Sequence, residues 1–203
     1  MIPAEVASIR NEIAKGLNMI QDLQQRQFKK LRVSLLEACN FACAYCVPDG
    51  APEFRSQFGQ TPACDILKNI SRIHNLVQLE SVRLTGGEPT LYKQLPELIS
   101  GLKEFGISKI ALTTNGSRLK KLSRPLKNAG LSSMNVSLDS IDEEIFRKIN
   151  RSTRLSSVLE GIETAQSAGV EVKINCTVMK GLNDSQILPI LEWANERNIV
   201  VRY

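Results

Sequence analysis

Between residues 31 and 203 the apolar positions follow two alternating rhythms. Short runs rich in β-branched and aliphatic residues occur at 31–38, 81–86, 109–116, 134–140 and 170–181. Between them lie longer stretches in which apolar residues recur every three or four positions. The first rhythm predicts strands and the second amphipathic helices. Helices are expected over 61–76, with Thr61 as cap and Pro62 at the first helical position, and over 94–106, 142–150, 156–169 and 184–198. The stretch 118–130 predicts a short helix broken at Pro125. Residues 199–203 predict a sixth strand. Strands joined by helices predict a parallel sheet with right-handed crossovers.

The polar and glycine-rich segments all follow predicted strands: the cysteine loop, TGGEP at 85–89, TTNG at 113–116, SLDS at 137–140 and MKGLND at 179–184. In a β/α barrel that is the functional rim. The fold class expected is α/β, a partial (β/α)6 TIM-like barrel; a doubly wound sheet would place the same segments similarly, so alternation alone does not choose. The lack of G-x-G-x-x-G after the first strand weighs against a dinucleotide fold. Before this core, Val6, Ile9, Ile13, Leu17, Ile20 and Leu23 stand at helical spacings, so residues 1–30 read as a helical extension and 31–203 as the core domain.

Composition narrows the classes. A net charge of +5, from 26 basic and 21 acidic residues, suits an anionic small molecule and equally no special partner. No recognised module accompanies the basic run 118–127, which argues against nucleic acid. No apolar stretch approaches the length of a membrane span, and the N-terminus lacks the apolar core of a signal peptide. Five cysteines, three of them crowded, are unlike an oxidised secreted scaffold and predict a cytoplasmic chain with reduced thiols. His74 is the single histidine, which makes histidine-based metal or triad chemistry unattractive. Cys64 and Cys176, on a helix and a strand, read as small buried hydrophobes.

The remaining three, Cys39, Cys43 and Cys46, fall within eight residues. A disulfide needs two thiols and a structural zinc site needs four ligands. Three soft thiolates on so tight a loop suit three corners of an iron–sulfur cubane, leaving the fourth iron to a chelating ligand such as the amino and carboxylate groups of a methionine. Zinc completed from elsewhere, or reactive thiols without metal, remain open on spacing alone.

The three-cysteine loop, with Tyr45 before its last thiol, and RLTGGEPTL at 83–91 together resemble the radical S-adenosylmethionine (SAM) enzymes. More narrowly, LRVSLLEACNFACAYCVP, VRLTGGEPTL, ALTTNG, MNVSLDSID and VKINCTVMKGLND resemble, in order, the GTP 3′,8-cyclase family of molybdenum cofactor biosynthesis. The resemblance covers residues 31 to 203. It implies a 4Fe-4S cluster on Cys39, Cys43 and Cys46 that binds and reductively cleaves SAM. It further implies SAM contacts from the Tyr45 backbone, Gly86, Gly87, Glu88 and Ser137, and GTP contacts from Arg32, Arg83, Thr113, Lys173 and Arg202. Of these, Arg83, Lys173 and Arg202 are the implied catalytic residues. An electron donor such as flavodoxin or ferredoxin, and a homodimer, belong to the same expectation.

Each residue also has a plain structural reading. Arg32 and Arg83 sit near strand starts and could be solvated ends, and Thr113, Asn115 and Ser137 could be caps and turn formers. Lys173 alternates with apolar neighbours; inside a barrel it needs an anionic partner or a cavity. Other radical SAM chemistry, on a peptide or another small molecule, and a non-catalytic iron–sulfur or zinc module are the competing functions. The chain departs from the family in LEAC before the loop, where TDRC is usual, and in Ala42, where a basic residue is common. The family also carries a second cluster on three further C-terminal cysteines and a C-terminal glycine pair. Neither is present here, so the expectation is a fragment or truncated relative that is an incomplete catalyst.

Overall fold

A computed structural model describes residues 22–47 and 59–203. Six strands, β1 (Lys30–Ser34), β2 (Ser81–Thr85), β3 (Lys109–Thr114), β4 (Ser133–Ser137), β5 (Glu171–Asn175) and β6 (Val200–Arg202), form one sheet in sequence order. Every neighbouring pair is parallel. The helices between them are α1 (Ala63–Val77), α2 (Leu95–Glu104), α3 (Leu119–Ala129), α4 (Glu143–Asn150), α5 (Leu155–Ser167) and α6 (Ile187–Asn195). The first and last strands do not pair with each other, so the sheet is an open, partial barrel. All six predicted strands are present.

Side-chain alternation sorts the sheet into two faces. Val82 and Leu84, Ile110 and Leu112, Met134 and Val136, and Val172 and Ile174 are buried in one core with Leu98, Leu102, Leu126, Val158 and Ile162 from the helices. The opposite, concave face carries Lys30, Arg32, Ser34, Ser81, Arg83, Thr85, Lys109, Thr113, Asn135, Lys173 and Arg202. Closed β/α barrels fill that interior with branched apolar side chains. Here it is polar and open.

Several boundaries differ from expectation for identifiable reasons. Pro62 stands just before α1, and Thr61 supplies no side-chain cap. The orphan N–H of Ala63 is instead satisfied by Gln94 Oε1 at 3.0 Å, a partner distant in sequence. Helix α3 continues through Pro125. Pro125 and Lys121 both face solvent, so water can take the carbonyl that the missing N–H abandons. Cys64 is exposed rather than buried, whereas Cys176 joins the core. The segment 170–181 is strand only over Glu171–Asn175; beyond it, Asn183 receives Met179 N–H at 2.7 Å and donates to Thr177 O at 3.0 Å, closing a loop. Most of the expected N-terminal helix falls on residues 1–21, outside the described residues. Its tail is a turn held by Asp22, whose Oδ1 accepts from Gln24 and Arg26 N–H, both at 2.9 Å.

Candidate active site at the strand ends

The cysteine loop leaves β1 and is laced to β2. Leu35 N–H donates to Thr85 O at 2.9 Å, Gly87 N–H to Leu36 O at 2.7 Å and Glu88 N–H to Ala38 O at 2.8 Å. This approach is possible only without side chains on the glycines. A Cβ on Gly86 would stand 2.6 Å from Leu36 O, and one on Gly87 would overlap the carbonyl oxygens of Glu37 and Ala38. Gly86 also has a φ of +151°. The glycine pair therefore positions the backbone that leads into Cys39.

Glu88 is fully buried. Its Oε1 accepts from Thr90 N–H (3.0 Å), Thr90 O–H (2.6 Å) and Thr114 O–H (2.7 Å), and Oε2 accepts from Asn115 N–H (2.7 Å). One carboxylate thus ties the ends of β2 and β3 together. Asn115 continues inward: its Nδ2 donates to Asn40 Oδ1 at 2.9 Å and reaches Cys39 Sγ at 3.9 Å.

The thiols themselves turn tightly. Cys46 and Val47 N–H both donate to Cys43 O, at 2.8 and 2.9 Å, and Phe41 N–H points at Cys39 Sγ at 3.4 Å. Burial pushes the Cys39, Cys43 and Cys46 thiols up, with Asn150 and Tyr45 opposing the rise at Cys43. Tyr45 donates its hydroxyl to Asp139 Oδ2 at 2.8 Å. Burial likewise raises the Asp139 carboxyl, against the pull of Thr177 N–H, Tyr45 and Asn150.

Cys39, Cys43 and Cys46 line one cavity of about 190 Å³ together with Gly86 and Gly87. Among the described residues no three His, Cys, Asp or Glu side chains close around a single metal-ion position. Three soft donors spread around a shared space, two with N–H groups aimed at sulfur, fit a thiolate-bound cluster. Ser137, at the end of β4, lies in register with Asn175 on the same rim.

Farther toward the strand starts, three of the implied substrate residues, Arg32, Arg83 and Lys173, line one cavity on the concave face. Arg32 and Arg83 are direct register neighbours, and Arg83 Nη1 donates to Thr113 Oγ1 at 3.4 Å. Arg83 is shifted down by burial, then by the charges of Arg32 and Arg202. Lys173 Nζ pairs with Glu171 at 2.6 Å, on the same face of β5, with Glu171 exposed at the strand start. That cavity, of about 600 Å³, is lined by Lys30, Arg32, Arg83, Lys109, Glu171 and Lys173, among others; it opens among the first residues of β1–β5, at the end of the strands opposite the cysteine loop, and Thr113 and Arg202 do not line it. Cations outnumber acids among these named residues, and the volume is that of an ordinary ligand site.

Residues 33–194 match the Radical SAM superfamily. The chain belongs to that superfamily. Radical SAM relatives include the GTP 3′,8-cyclases of Staphylococcus carnosus, 40% identical over 92% of this chain, and of Staphylococcus aureus strain JH9, 38% identical over 92%. The chain spans 56% of each of those relatives. Among solved structures, Streptococcus suis SuiB bound to S-adenosylmethionine superposes with a TM-score of 0.71 at 21% identity, covering 96% of this chain and 43% of that one. Methylornithine synthase superposes at 0.63 and 15% identity, covering 95% and 63%. The superfamily implies a 4Fe-4S cluster and SAM, and the three-thiol cavity suits them.

Sequence reasoning missed Asn150, Asp139, Lys30 and Lys109. Asn150 had a readable signal: it stands four residues after Phe146, on the apolar face of its helix, where an amide needs a reason. Lys30 and Lys109 open their strands, and only the register shows that they flank Ser81 on the concave face.

Proposed function

We propose that this chain is the cofactor- and phosphate-binding core of a radical SAM enzyme of the GTP 3′,8-cyclase type, serving molybdenum cofactor biosynthesis. The observation that carries the reading is the concave face, where a (β/α) interior normally packed with aliphatic side chains presents Arg32, Arg83, Lys109 and Lys173 around a cavity. Similarity to cyclases at 40% identity agrees with it.

Cys39, Cys43 and Cys46 would hold a 4Fe-4S cluster that, when reduced by a donor such as flavodoxin or ferredoxin, splits SAM into methionine and a 5′-deoxyadenosyl radical. Gly86, Gly87 and Ser137 provide the rim against which SAM would lie, with Tyr45 presented from the loop. Arg83 lies within the field of the like charges of Arg32 and Arg202, a repulsion that an anion relieves, so a triphosphate is a complementary guest. Thr113 fixes the Arg83 guanidinium, and Glu171 holds Lys173 until a stronger anion competes. The catalytic task of Arg83, Lys173 and Arg202 is orientation: they would fix the nucleotide so that its ribose meets the radical in a space shielded from bulk water. Because the chain spans about half of its relatives' length, we assign it cofactor and phosphate-chain binding, and assign complete cyclisation to a protein of the relatives' full length.

The test is to reconstitute and reduce the protein anaerobically, add SAM with GTP or guanosine, follow 5′-deoxyadenosine and nucleotide products by mass spectrometry, and measure binding of each nucleotide by calorimetric titration. The reading expects 5′-deoxyadenosine, and binding of GTP but not of guanosine. No 5′-deoxyadenosine with any nucleotide, or equal binding of guanosine, would overturn it.

A further inference from the structure

The C-terminal end of α4 clamps the cysteine loop. Ala44 N–H donates to Ile149 O at 2.8 Å and Ala42 N–H to Asn150 O at 3.4 Å. Phe146 packs edge-on against Phe41, ring centroids 6.0 Å apart. Within this clamp Asn150 is only 2% exposed. Its Nδ2 donates to Cys43 Sγ at 3.2 Å and lies 3.5 Å from Asp139 Oδ2. Asp139 is fixed in turn by Thr177 N–H on its Oδ1 and by the Tyr45 hydroxyl on its Oδ2, both at 2.8 Å.

The other end of the amide is as informative. Asn150 Oδ1 is buried and has no hydrogen-bond partner. A buried acceptor without a partner is destabilising, whereas an isosteric apolar side chain would fill the site without that cost. The packing therefore does not explain the amide. The donor half does: it is the half that meets sulfur. A thiolate bound to a cluster gains negative charge when the cluster is reduced, and an N–H aimed at it favours the reduced state.

We propose that Asn150 is a positioning residue that sets the reduction potential of the cluster by hydrogen-bonding the Cys43 sulfur. This rests on the reading of Cys39, Cys43 and Cys46 as cluster ligands. Asp139 acts through Asn150, holding the amide with its donor side toward sulfur.

The experiment uses the reconstituted chain and its Asn150→Leu and Asn150→Asp variants, with Phe146→Leu as a packing control. Iron content, electron paramagnetic resonance of the reduced cluster and a redox titration are read for each. With Asn150→Leu, the ratio of reduced to oxidised cluster at a fixed potential should fall about tenfold, a shift of ~59 mV for a one-electron couple. Asn150→Asp, which replaces the donor by an acceptor, should shift it further in the same direction. Phe146→Leu should lower thermal stability and leave the potential in place. Should the Asn150 variants not fold, ¹⁵N-asparagine labelling in an Asn115→Ser background, which removes the amide near Cys39, decides: a ¹⁵N coupling to the reduced cluster supports the hydrogen bond, and its absence contradicts it. A cluster loaded in Asn150→Leu with the parent potential, or a shift matched by Phe146→Leu, overturns this proposal alone. Failure of the parent chain to load iron overturns the cluster reading and the proposal with it.

Discussion

Gly87 N–H donates to the carbonyl of Leu36 at 2.7 Å, across a gap so narrow that a methyl group on Gly87 would overlap Glu37 O and Ala38 O. The two strand ends touch backbone to backbone, and the path into Cys39 is fixed by that contact. Gly87→Ala should therefore destabilise the fold by about 2 kcal/mol or more, since rigid backbone cannot yield as a flexible side chain can. Iron loading should fall with it. Gly59→Ala is the control, because a Cβ there meets nothing within 4 Å. Chemical denaturation of the two variants checks this; equal midpoints would show that the contact does not constrain the loop.

Glu88 is a second structural test, within a motif whose resemblance implies SAM contact. Both of its carboxylate oxygens accept hydrogen bonds, four in all, and neither is exposed. Glu88→Gln would aim an amide N–H₂ at donors already in place. The expected loss is about 1–3 kcal/mol, read as a melting point lower by ~2–12 °C for a domain of this size. A melting point within a degree of the parent would show that the network is dispensable.

The strand and helix order was legible because each element has a clean period and each functional segment ends a strand. Legibility failed where partners come from far along the chain. Gln94 capping Ala63, and Asn150 reaching Cys43 from 107 residues away, are tertiary facts with no local trace of their geometry. Pro125 reads as a break because it removes one helical hydrogen bond, yet the helix continues through it, with Lys121 and Pro125 on the exposed face where water can reach the freed carbonyl. Of the site, the thiols and Gly86–Gly87 were readable as motifs. The roles of the glycines became physical only once the backbone of residues 36–38 was seen lying against them.

Glu171 is the single acid among the named residues of the basic cavity, and it occupies Lys173. Glu171→Gln should raise affinity for inorganic triphosphate by about three- to tenfold, as expected for removing one partly solvated repulsive charge. Arg83→Ala should lower it by roughly tenfold or more, the scale of a lost charge-assisted hydrogen bond. Calorimetric titration at two salt concentrations checks both; no change in either variant would place the anion elsewhere. The pair also fixes a pH sign. Lys173 holds the Glu171 carboxyl below its ordinary 4.5. The small stability it contributes is therefore present above that value and is lost as pH falls through the lowered one.

The central claim is that three thiolates hold a cluster with one iron open to SAM. The most direct measurement is electron paramagnetic resonance of the anaerobically reconstituted, reduced protein before and after SAM is added. The account predicts about four irons and four sulfides per chain, a reduced-cluster signal that SAM perturbs, and loss of most of that iron in Cys43→Ala. A protein that binds only zinc, or a cluster whose signal SAM leaves unchanged, would contradict it.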